Sequence, residues 1–223
     1  MMAAGAKYHP SQELLLEFAT GGGDRPRRAL IEAHLAHCAD CRSDLGRVAR
    51  PGGALLAAVD DAPLPPALLD RIVQRIDSMP ALPPQPADGI DLPPGVLAEL
   101  VSMKPLRWRS PALRGSRIAT LFHDDHSGAV LHLGWMPGGR VFPPHRHAGA
   151  EEVVVLAGGY TDGPKHVETG DWVVTEPGAS HSPTTDPGED CWILTRLDAP
   201  IRFTGWRGWL QRAALLFSSI TRR

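Results

Sequence analysis

The chain has 223 residues, 43% of them hydrophobic and 22% charged, with a formal net charge of -2. That balance is ordinary for soluble globular protein and gives no electrostatic case for direct nucleic-acid binding. Three cysteines are too few for a disulfide framework and fit a reducing cytoplasm, while no segment has the uninterrupted apolar length of a signal peptide core or a membrane span.

In chain order, the first third reads as helical. Pro10 suits a first helical turn, and Leu14, Leu15 and Phe18 supply an apolar face that Thr20-Gly21-Gly22-Gly23 ends. A second helix starts after Asp24, an N-cap with Pro26 just inside, and runs through Leu30, Ile31, His34, Leu35 and Cys38 to about Val48. Arg50-Pro51-Gly52-Gly53 is a place for a kink or break. After Pro66, Leu68, Leu69, Ile72, Val73 and Ile76 recur at helical spacing. From Met79 to Pro94 repeated prolines forbid a helix and favour extended chain, the mark of an interdomain linker.

Beyond the linker the period changes. Arg117 to Phe122, Ala129 to Trp135, Glu152 to Leu156, Trp172 to Thr175 and Cys191 to Leu197 are short β-prone runs separated by Gly, Pro and Asp clusters. Such spacing points to an antiparallel sandwich or barrel. From Gly205 to Arg223 helical spacing returns, with Trp206 and Trp209 on an apolar stripe among arginines. That tail is expected to pack on the barrel or a neighbouring chain, membrane contact being the lesser reading.

Two clusters carry the chemistry. His34, Cys38 and Cys41 form H-x3-C-x2-C, and positions i, i+4 and i+7 of one helix share a face. One imidazole and two thiolates want a fourth donor to complete a tetrahedral zinc site. His9 is the candidate; His37 is the alternative, but it lies about 100° round the helix from Cys38. A His2Cys2 set with no open position reads as structural zinc; the competing reading is two buried cysteines acting as small apolar residues. In the β region His145 and His147 point the same way on a strand. Glu151 returns to them after Ala148-Gly149-Ala150, and His181 arrives from a later strand. Strand alternation favours Glu151 over Glu152. Three imidazoles and a carboxylate suit zinc, iron, manganese or nickel. His123, His126, His132 and His166 have no partner spacing, and Cys191 reads as a buried strand residue.

Gly139 to Glu151 resembles the first cupin motif, and Gly170-Asp171 with Pro177-Gly178-x-x-His181 resembles the second, with Thr185 where an asparagine is usual. His9 with His34-x3-Cys38-x2-Cys41 resembles a zinc-binding anti-sigma domain. In this order the motifs resemble the ChrR family of cupin-bearing anti-sigma factors over nearly the whole chain. The resemblance implies an α + β two-domain protein. A helical zinc-binding bundle (1–79) and a linker (80–95) would precede an antiparallel β-barrel or jelly-roll cupin (96–204) and a helical tail (205–223). It implies zinc on His9, His34, Cys38 and Cys41 and a divalent metal, zinc foremost, on His145, His147, Glu151 and His181. It also implies an extracytoplasmic-function sigma factor as partner, reached by the helix carrying Leu68, Leu69, Ile72, Val73 and Ile76, and a cupin that governs release under singlet-oxygen or peroxide stress. A homodimer is a further expectation. The alternative is a metal-dependent cupin enzyme, dioxygenase-like, whose zinc unit serves only assembly.

Overall fold

The computed structural model describes residues 5–79, 106–109 and 115–205. The expected linker over 80–95 and the tail from Trp206 onward lie outside the described residues.

Four helices come first: α1 (Gln12–Ala19), α2 (Arg25–His37), α3 (Ala39–Ala57) and α4 (Leu68–Asp77). Ser11 caps α1 by accepting the Leu14 N–H, so Pro10 sits just ahead of the cap rather than in the first turn. Asp24 caps α2 by accepting the Arg27 N–H, with Pro26 inside as expected. The single helix expected from Asp24 to Val48 is instead two. Cys38 adopts φ -110° and ψ 107°, outside the helical region, and its sulfur caps α3 by accepting the Cys41 N–H. The convergence of His34, Cys38 and Cys41 therefore comes from a helix–helix corner and not from one continuous face. The break expected at Arg50–Gly53 does not occur, and α3 runs through Pro51 to Ala57. A proline there forfeits one helical hydrogen bond without ending the helix.

The strands, in order, are β1 (Trp108–Arg109), β2 (Arg117–His123), β3 (Val130–Met136), β4 (His145–Arg146), β5 (Glu151–Ala157) and β6 (Gly159–Asp162). They continue with β7 (Lys165–Glu168), β8 (Trp172–Thr175), β9 (Ser180–His181), β10 (Thr184–Thr185), β11 (Cys191–Leu197) and β12 (Arg202–Phe203). One antiparallel sheet has the order β1-β2-β3-β11-β5-β8; two three-stranded sheets, β10-β6-β7 and β12-β4-β9, complete a cupin-like sandwich that is not closed into a continuous barrel. Thr185, at the usual asparagine position, is buried and ties the preceding turn down: its hydroxyl donates to the Pro137 carbonyl at 2.7 Å and accepts the Arg140 N–H at 2.9 Å.

The large sheet is covered on both faces, which explains why β5 reads Glu-Glu-Val-Val-Val-Leu-Ala without polar alternation. Val153 and Val155 join Tyr160, Val167 and Cys191 on the inner face. Val154 and Leu156 join Leu131, Leu133, Trp172 and Leu194 on the outer face, in one apolar core with Leu15, Leu30, Ile31 and Leu35 of the helices. The helical unit α1–α3 is thus packed on the sheet. Ionic contacts fix the seam: Arg27 grips Glu152 through Nε and Nη2 at 3.0 and 2.7 Å. Arg196 grips Asp24 through Nε and Nη2 at 3.0 and 2.5 Å. Burial alone would raise the Asp24 pKa, but Arg196, the Arg27 amide and both guanidinium charges hold it below the usual carboxylate range.

Two candidate metal centres

The structure gathers the donor atoms of His9, His34, Cys38 and Cys41 within 4.8 Å of one another. His9 Nδ1 is 3.4 Å from both sulfurs. Two donors sharing a tetrahedral zinc at ordinary Zn–N and Zn–S lengths stand about 3.5 Å apart, so the spacing is that of a chelate. His34 is fully buried and donates from Nδ1 to the Gly170 carbonyl at 2.7 Å, which leaves a lone pair on Nε2. That Nε2 is buried and has no hydrogen-bond partner; a cation in the cluster satisfies it. Burial, reinforced by Cys38, pushes the Cys41 thiol up to about 12. A thiolate forms there only when a metal displaces the proton. His37 is exposed and stands outside the group.

The second cluster is assembled by register. His145 on β4 faces His181 on β9 directly, and the His147 N–H donates to the Ala179 carbonyl at 3.0 Å, bringing the third imidazole alongside. The His181 Nε2 is 2.9 Å from both His145 Nε2 and His147 Nε2, and Glu151 Oε2 is 3.5 Å from His147 Nε2. His145 donates from Nδ1 to the Pro143 carbonyl at 2.9 Å, and His181 donates from Nδ1 to Asp162 at 2.6 Å. Both Nε2 atoms therefore present lone pairs to each other with no proton between them. Only a shared cation or an added proton makes that arrangement favourable, and burial opposes the proton, taking His145 and His147 down to about 4. Donors about 2.1 Å from one ion at right angles stand about 3 Å apart, so the residues fit a divalent metal. Burial, with the Asp162 charge, raises Glu151 to about 7. Asp162, the orienting carboxylate, was not visible as such in the sequence, since it lies on a short strand with no spacing relation to His181.

Glu152, the competing carboxylate, faces the helices from the opposite side of β5 and holds Arg27. Among the remaining histidines, His166 bonds Asp186 at 2.8 Å and His132 contacts Thr120 at 3.2 Å. A cavity of about 370 Å³ lies beside the second cluster, with His145, Glu151 and His181 on one wall and Ile118, Phe142, Val153, Ile193 and Phe203 among the apolar ones. Cys191 also faces it, its thiol raised by burial to about 12 and so not a nucleophile at neutral pH.

Fold and sites together define a protein that joins a compact helical zinc unit to a cupin with its own metal site. Comparisons with known proteins give its particular relatives. A zinc-finger family model matches residues 11–42, and the ChrR Cupin-like domain matches residues 98–199. The curated Anti-sigma-E factor ChrR of Cereibacter sphaeroides is 29% identical over 203 residues, covering 90% of this chain and 93% of that protein. The solved structure of Rhodobacter sphaeroides SigE in complex with the anti-sigma ChrR matches at 27% identity and a TM-score of 0.63, covering 86% of this chain and 99% of that one. In both its zinc-finger and its cupin part, and over most of its length, the chain is similar to ChrR.

Proposed function

We propose that this protein is a cytoplasmic anti-sigma factor that sequesters an extracytoplasmic-function sigma factor through its helical zinc unit and releases it under control of the cupin. One structural observation carries the partner-binding half. Helix α4 holds Leu69, Ile72, Val73 and Ile76 at 72%, 47%, 45% and 61% exposure. They form one stripe at i, i+3, i+4 and i+7, the pattern of a helix that buries an apolar face. An exposed stripe of that kind marks a surface that a partner covers. The similarity to a solved sigma–anti-sigma complex says which kind of partner. Leu68 starts the same helix and is half-buried.

In this reading zinc on His9, His34, Cys38 and Cys41 holds α1, α2 and α3 in place, since a metal in so small a unit supplies much of its folding free energy. A metal on His145, His147, Glu151 and His181 is the sensing centre, and the adjoining cavity gives singlet-oxygen or peroxide products access to it. Among the described residues no helix is long and apolar enough to cross a membrane. The test is co-expression of the full chain with the sigma factor encoded beside it. Co-purification and loss of sigma-dependent transcription are expected; failure to capture or inhibit that factor would end the proposal. Oxygen uptake with candidate small substrates should stay at background, which separates this reading from the enzyme one.

A further inference from the structure

The helices alone do not complete the zinc centre. His34 is buried on α2, yet the acceptor that fixes its ring is the carbonyl of Gly170, in the turn between β7 and β8 of the cupin, at 2.7 Å. His9 is held from the same turn. The N–H groups of Lys7 and Tyr8 donate to Asp171 Oδ1 at 2.5 and 3.1 Å, and the Trp172 N–H donates to the Tyr8 carbonyl at 2.9 Å. The backbone immediately before His9 is thereby pinned to the turn. Trp172 also sets its ring edge-on to His34, with centroids 6.5 Å apart. Asp171 is 1% exposed, and its other oxygen accepts the Glu168 N–H at 2.8 Å, so the carboxylate is itself locked.

The turn is braced against the sheet as well. Gly170 N–H donates to the Val155 carbonyl at 2.8 Å, and Val155 N–H to the Asp171 carbonyl at 3.2 Å. Gly170 has φ +92°, and a Cβ there would stand 2.8 Å from His37 Cβ. Only glycine lets the backbone approach α2 closely enough for its carbonyl to reach His34. Three consecutive cupin residues therefore position two of the four zinc donors.

We propose that Gly170, Asp171 and Trp172 of the cupin are the positioning shell of the zinc centre, so that zinc binding and the docking of the helical unit on the cupin are one linked equilibrium. This rests on the zinc reading of the first cluster. Partners behind metal-bound imidazoles fix their tautomer and orientation, and their loss typically weakens metal binding ten- to a hundredfold. Linkage is reciprocal: whatever undocks the cupin loosens zinc, and zinc favours the docked form by the same factor. Strand β5 joins the two centres, since Glu151 at its start faces the cupin metal site while Val155 braces the turn.

The test uses the full chain. Cobalt reports the cysteine-bearing site separately from the cupin, because only thiolate ligands give sulfur-to-metal charge-transfer absorption. Zinc affinity is then measured by competition against that cobalt signal with a chromophoric chelator. Asp171→Ala is expected to weaken zinc ten- to a hundredfold, and Asp171→Asn, which keeps the Oδ1 acceptor but sets an amide N–H against that of Glu168, to recover only part of the loss. Wild-type affinity in an Asp171→Ala chain with native circular dichroism would overturn the proposal. Should that variant not fold, nitrogen-resolved NMR of the wild-type zinc form decides instead. A slowly exchanging Nδ1–H on His34 is expected, and exchange as fast as that of a free imidazole would overturn it. If the wild-type chain shows no thiolate-to-cobalt band, the zinc reading fails first; if the band is present and the variant is unchanged, only the shared-shell inference fails.

Discussion

The cysteine-bearing cluster and the cupin cluster use the same side chain, histidine, in different surroundings. The first gathers two imidazoles and two thiols from a helix corner and the segment ahead of α1, three of the four residues buried. The second takes His145 and His181 from two-residue strands, His147 from just after β4 and Glu151 from the start of β5, and has a cavity of about 370 Å³ at its side. A closed tetrahedral set suits a structural ion, while harder donors beside an open space suit an ion that meets small molecules. The difference teaches where change can be tolerated: movement at the second site leaves a folded sheet, and movement at the first dismantles a helix corner.

Breaking the first site should have the largest effect. Cys38→Ser or Cys41→Ser removes a thiolate donor from a unit whose metal contributes, by analogy with zinc-finger peptides, on the order of 10 kcal/mol. Loss of stoichiometric zinc, loss of helical circular dichroism and loss of partner capture are expected together; a variant that keeps zinc and helicity would erase the contrast. The next largest effect lies at the seam between the two regions. Arg196→Met leaves Asp24, at 10% side-chain exposure, without its guanidinium partner, while Glu152 keeps Arg27. Removing one partner of a buried pair costs about 3–5 kcal/mol, readable in urea unfolding. Arg27→Met combined with Glu152→Met should cost far less than either alone, because no charge is left unpaired. The Asp24 carboxyl is depressed, so its contribution is present above the unfolded carboxylate range and is lost only as pH falls through the lower folded value.

Much of this was legible in the sequence, and the gaps have physical causes. Asp24 with Pro26 marks the start of α2 because a side-chain cap and a fixed φ act locally. The seven-residue strands β2, β3, β5 and β11 are long enough for period and composition to show. The two-residue strands β4, β9, β10 and β12 are not; they exist because neighbours pair with them. The corner at Cys38 was hidden because the apolar period runs on through it, and because cysteine is not among the usual caps. Strand alternation did separate Glu151 from Glu152, since it depends only on the pleat. The role of the Gly170–Trp172 turn could not be read that way: its partners, His34 and Tyr8, lie 136 and 164 residues away. A hint was available in β5, whose unbroken apolar run already required cover on both faces.

A smaller effect on the fold, though a large one on response, is expected at the second site. His145→Ala or Glu151→Ala should abolish cupin metal while leaving cysteine-site zinc and partner capture intact, and should impair release under oxidative stress. If these variants fail in capture as the cysteine variants do, the two regions do not have separate roles. The sign of the pH dependence follows from Glu151. Its carboxyl is held up to about 7 by burial, so a proton competes with the metal below that value. Cupin metal affinity should therefore rise with pH, by about tenfold per unit for one displaced proton, and level off near neutrality. His145 and His147, at about 4, remain neutral and ready throughout that window.

The smallest expected effect on stability falls on α4, and it sharpens the comparison from outside both clusters. Leu69 and Ile76 are 72% and 61% exposed, so Leu69→Ser or Ile76→Ser should leave unfolding free energy within about 0.5 kcal/mol of wild type. If a partner covers this stripe, each substitution forfeits roughly 1.5 kcal/mol or more of apolar burial in the complex, about tenfold in affinity. Neither metal site touches these side chains, so zinc content and cupin metal should not move. A loss of capture with both metals retained would assign recognition to α4 and leave the zinc cluster the task of holding α1, α2 and α3 in place. Unchanged capture would shift recognition to the exposed end of α3, where Leu55 and Leu56 are 73% and 74% exposed.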